Sequence, residues 1–208
     1  PEALIRTWTD RGVNLVQGYG LSEASPNVLG LPPEDVHRRV GFAGKPYPHV
    51  DVALAGPDDT LLDGPATGEL LVRGPNVFAG YWNDPAATAE TMRGGWLHTG
   101  DVAERDAEGF YRIRDRLKDM YISGGENVYP AEVESVLADH PAVIEAAVVA
   151  VADDRWGEAG RAFVAVRADV GADELIEWCR ARLATFKVPR EVRFVSDLPR
   201  SGMNKVLK

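Results

Sequence analysis

The chain has 208 residues, 45% hydrophobic and 26% charged, which is the profile of one or two globular domains with apolar side chain enough for a real core. A formal net charge of -9 argues against general affinity for nucleic acid or an anionic membrane surface, although it does not forbid a local basic pocket for phosphates. A single cysteine, Cys179, excludes a disulfide framework and points to a reducing, cytoplasmic compartment, and no apolar run approaches membrane-spanning length.

The opening Pro1-Glu2-Ala3-Leu4 reads as mid-protein sequence, with no initiator methionine and no signal peptide. Leu4 to Trp8 has a helical pattern that Asp10-Arg11-Gly12 stops, and Val13 to Val16 is a short apolar run entering a glycine turn, which predicts a buried strand end. A long loop around Pro26, Pro32 and Pro33 is expected next. Between Gly41 and Ile113 the chain changes character. Val50, Val52 and Leu54 alternate with Asp51 and Ala53, Leu70 to Val72 lies between Gly68 and Gly74, and Val102 to Arg105 and Phe110 to Ile113 flank the turn Asp106-Ala107-Glu108-Gly109. Short strands punctuated by Gly, Pro and Asp predict a small antiparallel sheet or distorted barrel.

The charged segment Arg114 to Asp119 reads as a linker. Beyond it the pattern is mixed α/β. Pro130 opens a helix with Val133, Val136 and Leu137 on one face and acids in its first turns. Ala146 to Val151, Phe163 to Val166 and Val192 to Val195 are strands, and Leu175, Ile176, Cys179 and Leu183 share a face of a second helix. This is a small α+β domain, followed by a polar tail from Pro199 to Lys208 that is expected to be mobile.

Four stretches carry chemistry. In Gln17-Gly18-Tyr19-Gly20-Leu21-Ser22-Glu23 the glycines allow close backbone approach, a tyrosine ring can stack on a flat base, a hydroxyl can bond phosphate and a carboxylate can hold Mg²⁺; a plain strand-to-loop turn with a packed tyrosine accounts for it equally well. Asp101, after the turn in Gly95-Trp96-Leu97-His98-Thr99-Gly100-Asp101, could accept both hydroxyls of a ribose, or be a surface turn aspartate. His98 has no His, Cys or Asp partner at metal-binding spacing, so no metal role is assigned to it. The run from Asp115 to Pro130, with Lys118 and the pair Gly124-Gly125, is either a solvated charge run with a β-turn or a backbone segment able to lie against a narrow ligand channel. Lys205, near the end of Leu198-Pro199-Arg200-Ser201-Gly202-Met203-Asn204-Lys205, would by itself be a solvated lysine.

Taken together, in this order and spacing, these stretches and Gly68-Glu69-Leu70…Gly80-Tyr81-Trp82 resemble the core motifs of the adenylate-forming (AMP-binding) enzymes, the superfamily of acyl-CoA synthetases, luciferases and peptide-synthetase adenylation domains. The resemblance runs along essentially the whole chain and is to the C-terminal portion of the fatty or aryl acyl-CoA ligase type. It implies an α+β fold in which residues 1–117 close a large N-terminal AMP-binding domain with a distorted antiparallel β-barrel, Lys118 is the hinge, and 119–208 form a small mixed α/β lid. It implies a ligase that converts a carboxylic acid and ATP to acyl-AMP and pyrophosphate, then acyl-AMP and CoA to acyl-CoA and AMP, with Mg²⁺ and without nucleic-acid or membrane-spanning partners. Tyr19 would stack on adenine with room from Gly18 and Gly20, Ser22 would contact phosphate and Glu23 would ligate Mg²⁺. Asp101 would grip the ribose helped by Arg116, Gly124 and Gly125 would line the pantetheine tunnel, and Lys205 would enter the site during adenylation. Cys179, on an apolar helix face, is read as core and not as a nucleophile.

Two departures stand out. The residue before the tail lysine, usually glycine in the family, is Asn204, the non-glycine residue best suited to positive φ. The Ser/Thr/Gly-rich phosphate loop of the family has no counterpart here, and no G-x-x-x-x-G-K-[ST] replaces it, so the 208 residues read as a fragment unable to complete adenylation alone. The alternatives are an adenylation domain that loads a carrier protein's pantetheine arm, and a non-catalytic remnant that binds AMP or CoA.

Overall fold

The computed structural model describes residues 2–202 and 204–208. The chain divides into two compact units, Pro1–Leu117 and Lys118–Lys208. The fold is mixed α+β, with a curled antiparallel half-barrel sheet in the first unit. No helix among the described residues is long and apolar enough to cross a membrane.

The first unit opens with helix α1 (Glu2–Thr9), followed by strands β1 (Gly18–Leu21), β2 (Ser25–Gly30) and β3 (Lys45–Pro46), which pair antiparallel in that order. The second sheet contains β4 (Asp51–Ala55), β5 (Ala66–Arg73), β6 (Met92–Arg93), β7 (Trp96–Arg105) and β8 (Tyr111–Arg116), in the order β4-β5-β7-β6 with β8 also on β7; helix α2 (Pro85–Thr91) precedes β6. Asp84 caps α2 by accepting the Ala87 N–H at 2.9 Å, and Pro85 occupies the first turn, where a missing N–H costs nothing. Inward residues of both sheets, among them Val28, Leu29, Leu54, Leu70, Val72 and Leu97, form one core. The two sheets are tied where Tyr111 N–H donates to Gly44 O and Ala43 N–H to Tyr111 O, each at 2.8 Å.

Sequence and structure part company in places. Val13 and Val16 are exposed and 13–16 is not a strand: no strand lies beside it among the described residues, and without a neighbour's donors and acceptors an extended run gains no ladder. Pro26 lies in β2 and not in a loop. The β1–β2 ladder pairs Tyr19 with Leu29 and Leu21 with Ser25, and the irregularity between them is where an imino acid without an N–H is tolerated. The charged residues Arg114 to Arg116 continue β8, because their backbone pairs with β7 as Val102↔Asp115 and Asp101↔Arg116.

The second unit contains β9 (Tyr121–Ser123), β10 (Glu126–Val128), helix α3 (Pro130–Ala138), β11 (Val143–Asp153), β12 (Gly157–Val166), helix α4 (Ala172–Arg180) and β13 (Glu191–Phe194). Its sheet order is β10-β9-β12-β11, with β13 parallel to β12. Val133 and Leu137 of α3 and Leu175 and Cys179 of α4 are fully buried with Val148, Ala162 and Val164 of the sheet. Leu183 packs against this core from beyond the end of α4. The β9–β10 hairpin is absent from the sequence reading, because three-residue strands are too short for a period-2 pattern to register.

The tail is folded and not free. Ser201 N–H donates to Lys205 O at 2.8 Å, Leu207 N–H to Pro199 O at 2.8 Å, and Arg200 bridges Val206. Asn204 has φ 62°, the left-handed conformation its residue type suggests, while Met203 lies outside the described residues. Arg200 pairs with Glu145, and Lys208 Nζ lies 2.7 Å from Glu134 Oε1.

Candidate nucleoside site

The first unit brings Tyr19, Asp101 and Arg116 together. The cause is a bulge in β7. Glu69 pairs with Val102 and Leu71 with His98, so Leu70 alone faces Thr99, Gly100 and Asp101. Gly100 makes the bend with φ 70°, which its lack of a Cβ permits. Side chains close the bulge. Thr99 Oγ1 donates to Leu70 O at 2.7 Å and accepts from Asp101 N–H at 3.1 Å, while Gly100 N–H donates to Glu69 Oε1 at 3.0 Å. Gly100 O accepts from Leu117 N–H at 2.7 Å.

Asp101, tipped out of the β5 ladder, accepts a 2.5 Å hydrogen bond from the Tyr19 hydroxyl through Oδ2, and its Oδ1 lies 3.7 Å from Arg116 Nε. Its carboxyl titrates above the usual aspartate range because burial outweighs the Tyr19 bond and the Arg116 charge, both of which act the other way. Burial, then the Asp101 charge, pushes the Tyr19 phenol up. Tyr19 therefore stays a neutral donor and Asp101 an acceptor with a cation alongside.

Ser22 and Glu23 sit in the 3-10 turn Ser22–Ala24 that follows β1. Glu23 O accepts from Phe78 N–H at 2.8 Å, Ala24 O from Asn76 Nδ2 at 2.6 Å, and Glu23 Oε1 from the Tyr81 hydroxyl at 2.9 Å. That bond raises the Tyr81 phenol. A Cβ at Gly20 would fall 2.5 Å from Pro26 Cα, so the close approach this glycine permits is to its own chain; Gly18 is tight against Leu29 O at 3.2 Å. Lys118 is exposed in the turn at the boundary of the two units. Gly124 (φ 62°) and Gly125 (φ 87°) form the turn of the β9–β10 hairpin, and Lys205 is exposed beside Asn204; these three belong to the second unit.

Sequence reasoning missed Asp59 and Arg93, and it placed Glu69 and Tyr81 in motif stretches without giving either a role. It also found no partner for His98 at metal-binding spacing along the chain, and the fold supplies partners from elsewhere: donor atoms of Asp59, Glu69 and His98 lie within 4.8 Å of one another. The partners come from other strands and turns, so linear spacing conceals them. Glu69 itself left one signal, a charge heading the apolar run Leu70-Leu71-Val72.

Residues 1–82 match the family model described as AMP-binding enzyme, and residues 132–205 the one described as AMP-binding enzyme C-terminal domain. The chain belongs to the AMP-binding enzyme superfamily. Within the superfamily it is 50% identical over 211 residues to a feruloyl-CoA synthase of Amycolatopsis sp, and 43% identical over 208 residues to a 2-succinylbenzoate--CoA ligase of Bacillus mycoides (strain KBAB4). All of this chain is covered in each case, and the chain spans 43% of the length of these curated relatives. A solved structure of the o-succinylbenzoate coenzyme A synthetase MenE from Bacillus subtilis, in complex with ATP and magnesium ion, superposes with a TM-score of 0.93 at 38% identity, covering 99% of this chain and 43% of that one.

Proposed function

We propose that this chain is the part of an AMP-forming acid–CoA ligase that grips the nucleoside and carries the moving catalytic lid. The observation that carries the reading is the half-buried Asp101 carboxylate held between the Tyr19 hydroxyl and Arg116 within one unit. Two carboxylate oxygens suit the two hydroxyls of a ribose, and the Tyr19 ring beside them suits a flat base. Glu23 spends Oε1 on Tyr81, and a second carboxylate oxygen suits a hard cation such as Mg²⁺. Ser22, exposed at the head of the same turn, would meet a phosphate.

In this reading the carboxylic acid attacks the α-phosphate of ATP, and Lys205 neutralises charge while the two anions approach; losing a donor of this kind costs about 2.7–4 kcal/mol. The second unit then presents Gly124 and Gly125 to the pantetheine arm of CoA, with Lys118 as the pivot. The break between the compact units falls at Leu117 and Lys118, which supports that pivot. The relatives' names concern aromatic acids, feruloyl and 2-succinylbenzoate, so an aromatic carboxylic acid is the proposed substrate class.

The test separates the half-reactions in the complete enzyme of which this chain is proposed to be a part. Lys205→Ala is expected to cripple acyl-AMP formation and spare thioester formation from supplied acyl-AMP. Gly125→Leu is expected to do the reverse, and Lys118→Pro to trap one orientation by fixing φ. Equal loss of both half-reactions in all three variants would refute the alternating lid, and turnover with a holo carrier protein in place of free CoA would replace the ligase reading by a loading domain.

A further inference from the structure

We propose that Glu69 is a positioning residue for Asp101, acting through the Gly100 peptide, with His98 and Arg93 holding Glu69 in turn; the inference rests on the nucleoside-binding reading of Asp101. Glu69 is 9% exposed and leads into Leu70, Leu71 and Val72, which are 0–1% exposed. A carboxylate in such surroundings is costly to desolvate, and an apolar side chain would serve the strand better if packing were all that mattered.

What Glu69 does there is specific. Oε1 takes the N–H of Gly100, a donor that the bulge removes from the β5–β7 ladder. Oε2 lies 2.8 Å from His98 Nδ1, and because an ionised carboxylate only accepts, Nδ1 carries the proton. Arg93 supplies the balancing charge: its Nη2 is 3.6 Å from Glu69 Oε2 and its Nε 2.9 Å from Asp59 Oδ2. The gathering of Asp59, Glu69 and His98 thus already contains its cation.

Gly100 is the residue before Asp101. Its N–H is fixed by Glu69 and its carbonyl by Leu117 N–H, so both peptide planes beside it are set. Thr99 Oγ1 fixes the Asp101 N–H itself. Asp101 pairs with Arg116 on the β8 side, but the bulge with φ 70° at its apex has no ladder bond to β5, and without the Glu69 bond that side would wander and with it the carboxylate that meets Tyr19 and Arg116. Pre-organised side-chain bonds of this sort hold a binding group within the narrow range that recognition needs.

The experiment measures AMP affinity and urea stability for the full chain carrying Glu69→Leu, Glu69→Gln, Asp101→Asn, and Glu69→Leu with Asp101→Asn; Glu69→Ala substitutes for Leu if the larger side chain prevents folding. Glu69→Leu is expected to keep the urea midpoint and weaken AMP binding about ten-fold or more, the loss of one hydrogen bond from a charged acceptor that orders the site. Glu69→Gln retains an acceptor for Gly100 N–H and is expected to restore affinity to within about three-fold. In the double variant the two losses should not multiply, because one acts through the other. Multiplying losses, or Gln as damaging as Leu, would overturn the positioning role while leaving Asp101 as the ribose group. Unchanged AMP affinity in Asp101→Asn would instead overturn the nucleoside reading and this inference with it.

Discussion

Gly124 and Gly125 offer a paired perturbation whose outcome differs for a reason visible in the structure. Both occupy positive φ, 62° and 87°, in a two-residue hairpin turn between Ser123 and Glu126, the geometry of a type I′ turn. Alanine at either position meets a backbone penalty of about 1–2 kcal/mol. The surroundings differ: a Cβ on Gly125 meets nothing within 4 Å, whereas one on Gly124 lands 2.6 Å from Cζ3 of the Trp156 ring. The Trp156 carbonyl accepts from Gly124 N–H at 2.9 Å, so the ring's own backbone is tied to the turn and cannot simply retreat. Overpacking of this kind adds about 1–3 kcal/mol. Gly125→Ala should therefore cost about 1–2 kcal/mol and Gly124→Ala about 2–5 kcal/mol in all. Asparagine at 125, tolerant of left-handed backbone, should cost less than alanine. Urea unfolding followed by tryptophan fluorescence and circular dichroism measures this, fitted with separate transitions for the two units. Equal costs at the two positions, or a neutral Gly124→Ala, would refute the argument. The same geometry shows that the hairpin alone requires both glycines, so their identity by itself is no evidence for a thiol tunnel; the Gly125→Leu half-reaction assay is what bears on that.

Three further outcomes are expected. AMP affinity should fall on acidification at a higher pH than an ordinary aspartate would give, because burial raises the Asp101 carboxyl and only its ionised form accepts two hydroxyls; Tyr19→Phe removes a bond that holds this value down and should move the acid limb up again, as a pH series of AMP titrations would record. Conformational stability has its own sign here: the raised folded value means this group's contribution is complete below its unfolded value and is lost as pH rises through the folded one. The Cys179 thiol, fully buried and pushed up to about 11, is thiolate in only about one molecule in a thousand at pH 8 and should resist alkylation until the second unit unfolds, as timed labelling with and without urea would report. Leu137→Ala, in the centre of the α3 packing, should cost about 2–5 kcal/mol of unfolding free energy, whereas Arg200→Ala, which breaks a partly exposed pair with Glu145, should cost about 1 kcal/mol or less; comparable urea shifts would contradict the burial seen at each.

Much of the fold was legible because its signals are local. The alternation at Val50 to Leu54, the turn Asp106 to Gly109, the proline opening α3 and the apolar face of α4 each depend on neighbours within a few residues. The errors fell where a distant partner decides. Val13 to Val16 has strand composition but no strand beside it, and Arg114 to Arg116 has linker composition but a waiting β7 ladder. The tail has the composition of a free end, yet it is held by its own turn and by Glu145 and Glu134.

The same division runs through the site. Residue types alone made Tyr19 and Asp101 candidates, allowed Asn204 to stand where positive φ is needed and placed Cys179 in a core, since each follows from the chemistry of one side chain and its immediate neighbours, whereas Arg116 entered only through the family resemblance. Tertiary structure alone decided that Asp101 faces Tyr19 across the sheets, that Glu69 reaches Gly100, and that Asp59 and Arg93 surround His98. Those contacts are products of strand register and a bulge, and register is set by which faces bury together over the whole sheet, a quantity that no short stretch of sequence contains.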